Sequence, residues 1–194
     1  AGSSITGAGF TGLDRTLRNT GTMIYSAVDS SVLNFGASGV TPGVLTNEGT
    51  FNVTAGGDFS EFFVVPGHAI NNAGTWNVSG AGTTSSVNGG VVFNNTGTVA
   101  VQSGTLALGG GGVSTGSYAP AAGAVLDFTG GTHDLNAGGA VSGAGVVRFS
   151  GGTSNVNGGS YAVGGTTSVT GGIVNFNTAA STGALRVTSG TLSG

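Results

Sequence analysis

The stretch Asn19-Thr20-Gly21-Thr22-Met23-Ile24-Tyr25 opens a pattern that recurs three times. It returns as Asn47-Glu48-Gly49-Thr50-Phe51-Asn52-Val53, as Asn72-Ala73-Gly74-Thr75-Trp76-Asn77-Val78 and as Asn95-Thr96-Gly97-Thr98-Val99-Ala100-Val101. The Asn-x-Gly-Thr signatures stand 28, 25 and 23 residues apart, which suits a solenoid coil whose corner loops vary in length. After each signature the apolar residues alternate with the period of a strand. Met23 and Tyr25, Phe51 and Val53, Trp76 and Val78, and Val99 and Val101 therefore face an interior. The opposite face carries Ile24, Asn52, Asn77 and Ala100, one per coil, so Asn52 and Asn77 are expected to stack as an amide ladder.

The second half repeats more tightly. Val125-Leu126-Asp127-Phe128 is echoed by Val146-Val147-Arg148-Phe149, and Gly-Gly-Thr triplets begin at Gly130, Gly151 and Gly164. Strands of about four residues separated by glycines, three to a coil of 20 or 21 residues, predict a triangular cross-section. On that register Phe128, Phe149 and Val169 stack inside one wall and Leu135, Val156 and Phe176 inside the next. Outside, Asp127 lies beneath Arg148 as an exposed ion pair of about 0–1 kcal/mol.

The fold class expected is all-β, a parallel β-helix or β-solenoid of 20–28 residues per coil, right-handed on the general rule for parallel crossovers. Residues 1–194 read as a single solenoid domain with looser coils over 1–95 and tighter glycine-rich coils over 96–194. Sandwiches and barrels also join strands through glycine turns, but hairpins have no need of one corner signature at every coil-length interval.

Composition agrees. Of 194 residues 42 are glycine and three are proline, and with much Asn, Ser, Thr and Val this disfavours long helices. Hydrophobic residues make up 38% against 6% charged, so the chain buries a core and is not disordered. There is no lysine; Arg15, Arg18, Arg148 and Arg186 face seven carboxylates, for a net charge of −3, which argues against nucleic acid and anionic membrane surfaces as partners. No run of about 18 apolar residues offers a transmembrane helix, and no leader pattern is seen. The absence of cysteine excludes disulfides and zinc-thiolate sites.

The run from Phe93 to Gly112, continued by Ala121 to His133, resembles the repeat regions of large exported bacterial proteins, namely filamentous-haemagglutinin-like adhesins and autotransporter passengers. The resemblance extends over nearly the whole chain, more loosely at its N-terminal end. It implies a bacterial, secreted or cell-surface protein with a structural or adhesive role. Such a β-helix extends, displays or assembles, and its partners are other copies or adjacent repeats of itself and host or matrix glycans. The resemblance brings no catalytic residues, cofactor or metal ligands with it. The C-terminal Thr188-Ser189-Gly190-Thr191-Leu192-Ser193-Gly194 stops inside a repeat, the expectation for a piece of a longer adhesin or for a subunit that stacks head to tail into a filament.

Polysaccharide hydrolases and lyases also use β-helices, and their chemistry needs carboxylates gathered on one groove. Here Asp14, Asp29, Glu48, Asp58, Glu61, Asp127 and Asp134 are spread across many coils, so no enzyme is expected. The densest group is Asp58, Glu61 and His68, in a segment that holds Phe59, Phe62 and Phe63. An acid pair beside a histidine suits proton transfer or metal binding, and as the alternative reading this loop is the site of a carbohydrate-binding or polysaccharide-degrading β-helix. The plainer reading is an elongated loop whose phenylalanines tuck into the core. Asp127, His133, Asp134 and Arg148 form a second group, with the two aspartates outside on different walls.

Further motifs are weaker. Glycine strings such as Gly109 to Gly112 lack the lysine of a phosphate loop and read as corners. Thr166, Thr167 and Thr170 bring to mind ice binding, but three local threonines make no regular array. Asn52, Asn77 and Asn94 each begin an Asn-x-Ser/Thr sequon, and Asn52 and Asn77 fall on the outward face, where glycosylation is sterically open.

Overall fold

A computed structural model describes residues 3–5, 10–26 and 31–194. The described chain is all β, with 25 strands, most of four residues, and every pairing between them is parallel. The strands stack as three walls. The first begins with Ser3–Ile5, Thr22–Tyr25, Thr50–Val53 and Thr75–Val78, and the second with Phe10–Leu13, Val32–Phe35 and Asp58–Glu61. The third wall, from Thr16–Asn19 to Thr191–Ser193, is a nine-stranded sheet with one strand per coil, so the chain makes nine coils. In the last two coils the first and second walls run together through the long strands Ser160–Val169 and Ala180–Val187, which joins both walls into one sheet.

The expected register holds residue for residue. Trp76 pairs with Phe51 and Val99, Asp127 with Arg148, Phe128 with Phe149, and Leu135 with Val156. Inward positions form one continuous hydrophobic core. Its widest part is aromatic: Phe51 and Trp76 stack at 4.3 Å and 5°, with Phe59 at 5.3 Å and Phe93 at 5.5 Å from the indole. Such ring pairs contribute roughly 0.5–1.5 kcal/mol beyond area burial.

The Asn-x-Gly-Thr signature is the corner between the third wall and the first. Its asparagine ends the third-wall strand and points inward, where Asn19, Asn47, Asn72 and Asn95 are buried. Each Nδ2 of the first three donates to the Oδ1 of the next, at 2.7, 2.7 and 2.9 Å, and also to the carbonyl of Thr50, Thr75 or Thr98. In the coil after Asn95 the column passes to Ser114, whose hydroxyl donates to the Asn95 carbonyl, and then to Leu135 and Val156.

The glycine of the signature is required by space. A Cβ on Gly74 would stand 2.1 Å from the carbonyl oxygen of Gly49, and one on Gly97 the same distance from that of Gly74. Backbone lies on both sides of the contact, so nothing flexible can give way. At the corner between the second and third walls the same crowding by backbone is joined by a positive φ: Gly131, Gly152 and Gly172 recur there with φ of 67°, 67° and 68°, a conformation costly for residues with a Cβ.

Two substitutions separate these effects. Gly74→Ala is expected to cost about 1–3 kcal/mol by forcing two coils apart, whereas Gly89→Ala, with nothing within 4 Å of the new methyl and no positive φ, is expected to be neutral. Urea unfolding of both variants checks this, and equal midpoints would refute the steric account.

Candidate functional site

The corner between the second and third walls carries the longest loops of the early coils, residues 36–43 and 62–68, one above the other. His68 holds the upper loop in place. It is 1% exposed, and its Nδ1 accepts from the Gly43 N–H at 3.1 Å. The ring proton is therefore on Nε2, which donates to the Phe63 carbonyl at 3.1 Å. The Gly36 position must lack a side chain, because a Cβ there would meet the imidazole at 2.4 Å.

Asp58, Glu61 and His68 are engaged by separate partners. Asp58 Oδ1 accepts from the Ser86 N–H of the following coil at 2.8 Å. Glu61 sits at the inward phase of its strand, in register with Phe35, but its carboxylate turns to the corner and packs over Gly90, where a Cβ would be 2.1 Å away. The next strand, Thr84–Val87, pairs Val87 with Phe59, so it ends before it reaches Glu61.

The phenylalanines of this segment divide, which corrects the expectation that they tuck into the core. Phe59 is fully buried, but Phe62 and Phe63 are 55% and 48% exposed, with rings edge to face at 4.9 Å. With Val40 and Val64 they make an apolar crest on the corner. The reason is that the strand ends at Glu61, so the alternation that carries Phe59 inward no longer applies.

Asp127 and Arg148 meet as the register requires, with Nε and Nη2 of Arg148 at 2.8 and 2.7 Å from Asp127 Oδ2. The pair is not the exposed one expected from parity. Asp127 is 3% exposed, because Arg148 and Ser150 of the next coil close over it and the Ser150 hydroxyl donates to its other oxygen at 2.8 Å. His133 points inward from the third wall, buried, with Nε2 donating to the Leu108 carbonyl at 3.2 Å. Asp134, on the outer face of the same strand, accepts from Asn155 at 2.8 Å, and Asn155 accepts from Asn175 at 2.7 Å. Asp127 and Asp134 thus stay on different walls. Arg18 and Glu48 form an exposed bidentate pair at 2.6 and 2.8 Å. Asp29 lies outside the described residues. Among the described residues no three His, Asp or Glu side chains converge in a metal-holding cluster.

On the first wall Asn77 Nδ2 donates to Asn52 Oδ1 at 2.8 Å. Beside this pair runs a row of outward hydroxyls, Thr22, Thr50, Thr75, Thr98 and Ser117, in strict register. Sequence reasoning attached hydroxyl ordering to Thr166, Thr167 and Thr170 and missed this row, although the last residue of each signature announces it. Thr167 is buried and shares a hydrogen bond with the Tyr161 hydroxyl at 2.8 Å.

No family model, curated protein or solved structure matches the chain.

Two outcomes follow from the buried polar groups. Arg148→Met is expected to destabilise by about 1–3 kcal/mol, since it leaves the Asp127 carboxylate buried with a single side-chain donor. Asp127→Asn keeps an acceptor for the guanidinium while its amide donates to the Ser150 hydroxyl oxygen, and should cost less; the reverse order in denaturant unfolding would refute this account. Burial holds His133 below the ordinary histidine range, and the hydrogen bond to Leu108 only partly offsets this. The unfolded chain gains a proton below about pH 6.5 that the folded chain resists, so this contribution is complete above that pH and falls away as acid is added. His133→Phe should therefore flatten the stability profile between pH 7.5 and 5 relative to the parent; parallel profiles would exclude the effect.

Proposed function

We propose that this chain is a structural and adhesive β-helix of an exported bacterial surface protein, which extends or displays by stacking coils end on. The observation that carries this reading is the pairing of one coil on the next, nine coils in one parallel register. Each coil accepts its neighbour by backbone hydrogen bonds and continues its inward columns, as Leu185 and Leu192 continue those of Thr167 and Val174. Resemblance to exported adhesin repeats supports the surface location.

Electron microscopy across a concentration series tests the stacking between copies. Rods of about 40 Å, nine coils at roughly 4.8 Å each, are expected to lengthen into filaments, and Leu192→Asp to stop the lengthening. Rods that stay single at every concentration reject assembly between copies.

The apolar crest favours a second reading within the same role, attachment to carbohydrate. Phe62 and Phe63 expose about half of their side chains on the corner that follows Glu61, and exposed aromatic surface suits sugar C–H groups. Binding on a glycan array that is lost in a Phe62→Ala, Phe63→Ala double variant is the expected outcome. Absence of binding across a broad array rejects this reading and leaves the structural one.

A further inference from the structure

We propose that Asn88 is a self-modification site: the folded chain, with water as the only co-reactant, converts Asn88 to aspartate and isoaspartate through a cyclic imide, and it preserves Asn157. The sequence holds two Asn-Gly pairs, and both stand in the same tetrapeptide, Val87-Asn88-Gly89-Gly90 and Val156-Asn157-Gly158-Gly159. The local sequence treats the two asparagines alike, and the fold tells them apart.

The reaction closes a ring between the asparagine side chain and the main chain of the next residue. The Gly89 nitrogen bonds to Asn88 Cγ, and its proton passes to solvent. The bond from Cγ to Nδ2 breaks, and Nδ2 leaves with the electron pair and takes up a proton as ammonia. Water then adds to either carbonyl of the imide and breaks its bond to the ring nitrogen, which leaves an aspartate or an isoaspartate. Glycine after the asparagine favours the closure because no Cβ shields the attacking nitrogen.

At Asn88 that approach is open. The residue is exposed in the short corner between the strands Thr84–Val87 and Val92–Asn95. Its side chain and the Gly89 N–H have no hydrogen-bond partner among the described residues, and a Cβ on Gly89 would have nothing within 4 Å. At Asn157 the approach is closed twice. The side chain is held on both sides, with Nδ2 donating to Asn136 Oδ1 at 3.1 Å and Oδ1 accepting from Asn177 Nδ2 at 2.9 Å. Turning the amides over would leave Asn157 between the same two neighbours, so the restraint does not depend on how the row is oriented. The preceding coil also restores the shielding that glycine lacks, since a Cβ on Gly158 would stand 2.9 Å from both the nitrogen and the Cα of Ala137.

The products suit the same one of the two places. A carboxylate at position 157 could no longer donate to Asn136, and the additional main-chain atom of isoaspartate would enter a contact between coils. At Asn88 the new carboxylate forms on an open corner, where Glu61 of the preceding coil already lays its own carboxylate over Gly90. The corner that bears Phe62 and Phe63 thus gains negative charge as the chain ages.

The test incubates the whole folded chain in mildly alkaline buffer made with heavy-oxygen water and follows both sites by peptide mapping with mass spectrometry. Each hydrolysis of the imide leaves a heavy oxygen at its site. A parallel sample in denaturant supplies the unfolded rate at each asparagine. The ratio of folded to unfolded rate should be roughly tenfold or more higher at Asn88 than at Asn157, the factor that two net hydrogen bonds to the Asn157 amide imply. Gly89→Ala, a change into open space, should slow Asn88 in the folded chain and leave Asn157 as it was. Equal ratios at the two sites overturn the proposal. So does an Asn88 that stays unlabelled in the folded chain while it reacts in denaturant, or one that Gly89→Ala does not slow.

Discussion

The structure depends on one contact, the backbone-on-backbone stacking of the Asn-x-Gly-Thr corner. The Gly49 N–H donates to the Asn19 carbonyl and the Gly74 N–H to that of Asn47, each with a neighbouring bond from the residue before. The coils approach so closely here that a methyl group at Gly74 has no place to go. Parallel strands tolerate slippage when nothing pins them, and a slip of one residue would turn every side chain to the wrong face. A corner with no slack removes that freedom for the first wall, and the core columns above it inherit the phase. Length differences between coils are then taken up within the loops of another corner, residues 36–43 and 62–68.

The interior column at this corner shows how a solenoid changes its core without changing its register. Asn19, Asn47, Asn72 and Asn95 form a polar stack in which each amide partners the next and also bonds backbone. A buried amide is tolerable only when its neighbours complete it, so a leucine placed in the middle would orphan the groups on either side. The change to Leu135 and Val156 is accordingly made at an end of the stack. Asn95 turns its Nδ2 to the Ser117 carbonyl at 3.2 Å, and Ser114 occupies the next position with a short side chain that finds a backbone acceptor. Beyond it the column needs no polar partner.

The wall registers were legible in the sequence because a strand alternates with period two and the signature supplies its phase. Trp76 over Phe51, Phe149 over Phe128 and Arg148 over Asp127 follow from counting alone. Exposure was less legible. Parity places Asp127 outside, but a side chain on an outer wall is covered by whatever the neighbouring coil lays over it, and here that is Arg148 and Ser150. The inward direction of the signature's asparagine depends on where the third-wall strand ends. Counting forward from Thr22 does not reveal that a strand ends at Asn19. The loop phenylalanines escaped for a related reason, since alternation carries no information once the strand has stopped at Glu61.

These failures point to where specificity resides in such a molecule. Wall residues are constrained from two sides, by the core and by a coil at strand spacing, so what they present is a repeated row: hydroxyls at Thr50, Thr75 and Thr98, amides at Asn52 and Asn77. A corner loop lies outside those constraints and can hold an arrangement made once, provided something fixes it. His68 supplies that at residues 62–68, joining the Gly43 N–H of the coil below to the Phe63 carbonyl of the loop itself. The loop that bears the two exposed aromatic rings is thereby tied down at one point, and any binding at the crest would carry a smaller ordering cost. An unanchored loop of the same composition would carry that entropic cost into every encounter, which is why the buried imidazole matters to the crest as much as the rings that form it.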